Sequence, residues 1–176
     1  MGTAVYILGG SQTDFSRNWA REDLEVYDMF SEVLRDALSD AAIEPGQIEV
    51  GHVGNFVADL FAGQGLIGGF FGQVYPELAM LPTSRHEAAC ASGSMAILGA
   101  MRDIEAGHYS TACVLGLELM RNVNGKTGAE YLGAATWKGH EAQASCPFHV
   151  AAPRYSAPVL PLTFRISSRP STQAVE

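Results

Sequence analysis

The sequence has no apolar run long enough to span a bilayer, and its first residues lead into a strand-like run with no signal-peptide pattern. Cysteine is scarce. Cys90, Cys113 and Cys146 are the only three, so they cannot all pair, and they show neither C-x-x-C spacing nor a metal-ligand pattern with histidine. Neither a disulfide framework nor a metal site is therefore expected, and a reducing cytoplasm is the expected setting. Basic charge is also short: 11 Lys and Arg stand against 19 Asp and Glu, a net charge of −8. That balance argues against nucleic acid or an anionic membrane surface as partner.

What is present is a chain of 176 residues, 47% hydrophobic and 17% charged, enough for one well-buried core. Ala4 to Leu8 reads as a buried strand, with a turn at Gly9-Gly10. Val26, Phe30, Val33, Leu34, Ala37, Leu38 and Ala41 recur at helical spacing opposite Asp28, Glu32, Arg35, Asp36 and Asp40, and Glu44-Pro45-Gly46 stops the helix. Ile48 to Val57 reads as a second strand. Strand, helix and strand in this length imply a parallel pair with a right-handed crossover. Ala112 to Gly116 is a continuous apolar run of strand length, as expected for a strand covered on both faces, with Cys113 an inert core thiol. The fold class expected is α/β, a mostly parallel sheet with helices on both faces.

Gly63-Gln-Gly65-Leu-Ile-Gly68 fits G-x-G-x-x-G, but the glycines follow the apolar segment Asp59 to Ala62 rather than the first strand of a βαβ unit. Glu87 has about the offset of the ribose-binding acid, yet it lies beside Cys90. The better reading is a glycine-rich helix packed closely against its neighbour, with Phe70 and Phe71 buried.

The stretch that carries chemistry is Thr83 to Met95. An extended run, Thr83 to Ala88, leads into Cys90, and a helical pattern follows with Ile97, Leu98, Met101 and Ile104 on its apolar side, ended by Gly107. Cys90 is thus expected at or just before a helix N-terminus, where free N–H groups and the helix dipole stabilise a thiolate. Ala91, Ser92 and Gly93 leave room for a substrate to approach the sulfur. The competing reading is a small buried hydrophobe, the commonest fate of a lone cysteine. His86 lies four residues upstream as a possible base, although a histidine on a strand is more often a hydrogen-bonded structural residue. Glu87 fits a solvated or capping role. His52, His108, His140 and His149 show no partner pattern.

Glu87-Ala-Ala-Cys90-Ala-Ser-Gly-Ser94 resembles the nucleophile segment of the thiolase superfamily. Val5 to Phe15 resembles its first strand and following turn, His52-Val-Gly-Asn55 its Met-Gly-Asn segment, and Val114 to Met120 the strand that ends Gly-Val-Glu-Met or similar. The resemblance runs from about Gly2 to Gln143, nearest to the sterol-carrier-protein-type and bacterial acyl-CoA branch. It implies the N-terminal half of the thiolase fold over 1–120 and the start of a coenzyme A-binding loop domain over 121–146, where Thr127 to Trp137 could hold a short helix. It further implies an acyl-CoA acyltransferase that forms an acyl-thioester on Cys90. Coenzyme A and acyl-CoA would be its substrates, without a permanently bound cofactor, in fatty acid or sterol side-chain metabolism. The partner expected is a homo-oligomer or a full-length thiolase-like subunit. Alternatives are a non-catalytic remnant or accessory subunit, and a fragment of a ketoacyl-synthase or hydroxymethylglutaryl-CoA-synthase-like condensing enzyme.

Two further features qualify that expectation. The family's acid/base motifs (a Gly-His-Pro-like histidine, a second cysteine before glycine, and an Asn- or His-bearing loop) are absent from this sequence. From 147 to 176 the text changes: five of eight prolines, three basic residues and one acid, Glu176, against 8 basic and 18 acidic residues in 1–146. This tail is expected to be an irregular, Pro-rich extension, or to be translated out of frame from near Gln143 to Cys146, the second reading being favoured by its lack of any period. Its Pro158 to Pro161 matches P-x-x-P, as expected by chance in such composition. A half-fold should also expose apolar surface and associate.

Overall fold

The computed structural model describes residues 4–136 and the backbone of 162–167. The chain runs β1 (Tyr6–Gln12), α1 (Val26–Asp40), β2 (Val50–Gly54), α2 (Ala58–Phe61), α3 (Phe70–Val74), β3 (Thr83–His86), α4 (Ser92–Glu105), β4 (Thr111–Gly116), α5 (Gly125–Leu132) and β5 (Leu162–Ser167). Five strands form one mixed sheet in the order β1-β5-β4-β2-β3. β2 pairs parallel with β3 and with β4, and β5 pairs antiparallel with β4 and β1.

The centre of the sheet follows from its alternation. β4 is buried throughout, and its side chains divide by the two-residue period of a strand. Cys113 and Leu115 join Phe30, Leu34, Val53, Ile67 and Phe71 under α1 and α3. Ala112 and Val114 join Val50, Ala96, Ala100 and Ile104 under α4. Helices therefore cover both faces, as the apolar run and the amphipathic α1 require. α1 buries Val26, Met29, Phe30, Val33, Leu34, Ala37 and Leu38, and Asp28 Oδ2 accepts from Glu25 N at 2.7 Å at its first turn.

Several expectations are corrected. β1 and β2 are not neighbours: β5 and β4 lie between them. A strand–helix–strand unit fixes connection, not adjacency, and the β1 side of the sheet is filled by an antiparallel strand. β1 is also not a buried strand stopped at Gly9-Gly10. It is an edge strand with Tyr6 and Ile7 exposed, and it continues through both glycines with a register shift between Ile7 and Gly9. A Cβ on Gly9 would lie 2.8 Å from the Ala41 backbone, so the glycine lets the end of α1 approach. On α4 the buried stripe is Ser92, Ala96, Ala100 and Ile104; of the expected apolar side, Ile104 is buried, Ile97 and Met101 pack half-buried against the same cluster, and Leu98 is exposed. Finally, residues 162–167 of the tail form β5. Their sequence, Leu-Thr-Phe-Arg-Ile-Ser, alternates apolar and polar, the signature of a strand. The rest of the tail, including His149 and Pro158 to Pro161, lies outside the described residues, as do His140 and Cys146 ahead of it.

The glycine-rich segment forms a turn and short helices instead of one helix. Leu66 takes a left-handed φ of 46° and is exposed, and a 3-10 turn over Ile67–Gly69 leads into α3. A Cβ on Gly68 would meet Thr83 Oγ1, so close packing against β3 explains that glycine without any dinucleotide.

Candidate active site

β2, β3 and β4 are parallel, so their C-terminal ends lie along one edge of the sheet, the place where α/β sheets bind ligands. Cys90 stands there. β3 ends at His86, a 3-10 turn spans Ala89–Ala91, and α4 begins at Ser92. Cys90 is exposed and Cys113 is buried. The sulfur thus lies just before the helix N-terminus, as the pattern requires, and the buried-hydrophobe reading of Cys90 is overturned.

The turn is held tightly. Ala89 has φ 48°, a left-handed conformation that costs about 1–2 kcal/mol for a residue with a Cβ. Ser92 Oγ accepts from Ala88 N at 2.9 Å and donates to the Ala89 carbonyl at 2.7 Å. Glu87 Oε1 accepts from Ala89 N at 2.9 Å, the capping role its position suggests. Beneath the turn a Cβ on Gly54 would lie 2.7 Å from Gly93 Cα and the Ser92 carbonyl. The end of β2 therefore fits against the start of α4 only without a side chain.

Next to it a polar clamp ties the ends of β2 and β4 together. Asn55 donates to the Leu117 carbonyl at 2.8 Å and accepts from Ala58 N at 3.0 Å. Glu118 Oε2 accepts from Phe56 N at 2.9 Å and Val57 N at 3.1 Å. Glu118 is buried and its Oε1 has no partner among the described residues. Burial pushes its carboxyl above the usual range, against the pull of the Val57 and Phe56 amides. Arg85 crosses from β3 to the Phe56 carbonyl at 3.0 Å and to Asp59 at 2.8 Å.

His86 does not serve Cys90 in this arrangement. Its Nε2 lies 2.9 Å from His52 Nδ1 and 2.9 Å from Ser84 Oγ. His52 Nε2 lies 3.2 Å from Asp103 Oδ2 on α4, within ion-pair distance but outside hydrogen-bond geometry. Burial lowers the pKa of both rings, His86 lowers that of His52 further, and Asp103 opposes the shift in each. Sequence reasoning missed this cluster. Its one signal is the even spacing of Ser84 and His86, which puts both on one face of a strand, but only the register that sets His52 opposite Ser84 brings β2 into it. The Asn55–Glu118 clamp was likewise missed, since the two residues are far apart in sequence. Among the described residues no group of three or more His, Cys, Asp or Glu could hold a metal ion, and no helix is long and apolar enough to cross a membrane.

The fold and the turn can be set beside known proteins. The acetyl-CoA acetyltransferase of Methanothermobacter thermautotrophicus is 32% identical over 144 residues, which are 82% of this chain and 36% of that protein. The chain thus spans about a third of the length of this curated relative. Among solved structures, Xanthomonas campestris OleA with bound lauric acid and lauroyl-CoA superposes with a TM-score of 0.63 at 16% identity, over 95% of this chain and 57% of that one. The Acat5 thiolase of Ascaris suum in complex with coenzyme A gives 0.52 at 24% identity, over 68% of this chain and 31% of that one. These two likenesses are of fold. The family description "Thiolase, N-terminal domain" matches residues 5–146. That match takes in every described element except β5, and on it the chain belongs to the thiolase family.

Proposed function

We propose that the chain carries the nucleophile of a thiolase-type acyl-CoA acyltransferase, with Cys90 as acyl acceptor. The observation that carries this reading is the exposed Cys90 on a strained, hydrogen-bonded turn at the C-terminal edge of parallel strands, just ahead of a fourteen-residue helix. The step is a transfer between thiols. The Cys90 thiolate attacks the thioester carbonyl carbon of acyl-CoA, a tetrahedral oxyanion forms, the bond to the coenzyme A sulfur breaks, and coenzyme A leaves as its thiolate. First-turn amides of α4 lack i−4 partners and point toward this end, which suits developing negative charge.

The Acat5 complex holds coenzyme A and the OleA complex holds lauroyl-CoA, which supports an acyl-CoA as the substrate class. Fatty acyl or sterol side-chain thioesters used in the cytoplasm, without a permanently bound cofactor, fit this reading. A condensing activity of the ketoacyl-synthase or hydroxymethylglutaryl-CoA-synthase kind is the second reading, favoured by the likeness of fold to OleA, which takes in 95% of this chain and 57% of that one. Either chemistry needs a proton-transfer group for the second half-reaction, and the described histidines near the sheet are engaged elsewhere. We therefore assign that group to a second copy or to a full-length thiolase-like subunit. The exposed Leu66, Met80 and Leu98 give such an assembly apolar surface to cover.

The test is release of coenzyme A from acetyl-CoA by the purified chain. The expected result is a burst of at most one equivalent per chain, lost in Cys90→Ala, without sustained turnover. Sustained Cys90-dependent turnover by the chain alone would refute the need for a second subunit. No burst and no acylation would leave an accessory subunit as the better reading.

A further inference from the structure

Away from the Cys90 sulfur, two imidazoles sit under α4 in a setting that needs a hydrogen between them. His52 Nδ1, His86 Nε2 and Ser84 Oγ form a triangle with separations of 2.9, 3.2 and 2.9 Å. His52 is buried. With the His52 proton on Nε2, toward Asp103, the short N···N contact is a hydrogen bond only if His86 donates from Nε2 to His52 Nδ1. The neutral pair thus has one good arrangement. A second added proton leaves two donors and two positive charges facing each other at that distance, and the Ser84 hydroxyl oxygen beside them can accept but carries no charge to offset theirs.

The surroundings give the pair little help in holding charge. From α4 the facing groups are Asp103, the one carboxylate, and Gly99, where a Cβ would lie 2.6 Å from His86 Cε1. From β4 the register partner of His52 is Val114. From β3, Ser84 and His86 belong to the cluster, and Arg85 between them is tied to Asp59 and the Phe56 carbonyl. Among the described residues, β2 is the only strand that pairs with β3. Three residues separate His86 from Cys90, so what loosens the end of β3 loosens the turn.

We propose that the His52–His86 pair is an acid-operated latch: it fastens β3 to β2 and α4 while it shares one hydrogen near neutral pH, and releases β3 and the Cys90 turn when it takes up protons. The linkage has a definite sign. Burial lowers both rings below the ordinary value of 6.5, so the unfolded or opened state binds protons first. The latch contributes its full stability above about pH 6.5 and loses it as pH falls through the folded values. This inference stands independently of the acyl-transfer reading, since its readouts involve no catalysis.

Hydrogen exchange on the full 176-residue chain tests it, with rates corrected for intrinsic pH dependence. Between pH 7.5 and 5.5, protection of the segment 83–92 should fall several-fold more than that of α1. In His86→Gln that extra fall should vanish. Equal falls in the two segments, or an unchanged fall in His86→Gln, would overturn the latch. Should that variant fail to fold, the imidazole proton resonances of the unaltered chain decide. Two coupled titrations with midpoints below 6.5 support the proposal, and independent titrations or midpoints at or above 6.5 overturn it.

Discussion

β4 and β3 are neighbours of the same strand, β2, and are built in opposite ways. β4 is sealed on both faces by apolar side chains from two helical layers. β3 is an edge strand whose first two residues are exposed and whose last two are half-buried, and it is held by histidines, a serine and an arginine. Apolar burial is non-directional and additive over area, so it suits a region whose only task is to stay folded. Hydrogen bonds fix direction but contribute only about 1 kcal/mol each, so they suit a short segment that must aim one sulfur. The comparison says that the stability of this chain resides in β4 and α1, and its chemistry at the end of β3.

The largest effect that could break the comparison is at the sealed strand. Leu115→Ala removes a fully buried side chain and should cost about 2–5 kcal/mol in urea unfolding. Leu98→Ser, on the exposed side of α4, should stay within about 0.5 kcal/mol. Similar costs for the two would refute the division. Gly54→Ala comes next. Its Cβ has no room beside Gly93, so about 1–3 kcal/mol of overpacking is expected, and the burst of coenzyme A release should be lost even where the chain remains folded. Ser92→Ala deletes both hydroxyl bonds of the Cys90 turn and should cost about 1 kcal/mol, with slower acylation of Cys90; an unchanged rate would show that the turn needs no such support.

The smallest effect concerns Glu118. Its carboxyl is pushed up by burial, so the folded state binds its proton more tightly than the unfolded state. Its contribution is most favourable below the ordinary carboxyl value and declines as pH rises through the raised folded one. Glu118→Gln keeps an acceptor for the Phe56 and Val57 amides without the charge. At pH 7 it should match the unaltered chain or exceed it, and the difference should vanish near pH 4. A marked loss at pH 7 would mean that the charge itself is required by the clamp.

Much of this was legible in the residues. The period of α1, the unbroken apolar run of β4 and the Cys90-to-helix transition are local patterns, and local patterns survive into the fold. Sheet order is not local. Nothing in Tyr6 to Gln12 says which strand lies beside it, and the alternation of Leu162 to Ser167 was hidden by its proline-rich flanks. The same holds at the site. Cys90 announces itself by its neighbours in sequence, whereas His52 with His86, and Asn55 with Glu118, become pairs only once parallel register sets them together. Leu98 was misjudged because small alanines, Ala96 and Ala100, rather than the large residue, face the sheet.

The most direct test of the central claim is peptide mapping by mass spectrometry after brief exposure of the chain to acetyl-CoA at neutral pH. An acetyl group found on the peptide containing Cys90, absent from that containing Cys113 and abolished in Cys90→Ala, is the predicted result. Acetylation spread over both cysteines, or none on Cys90 in a folded chain, would contradict it.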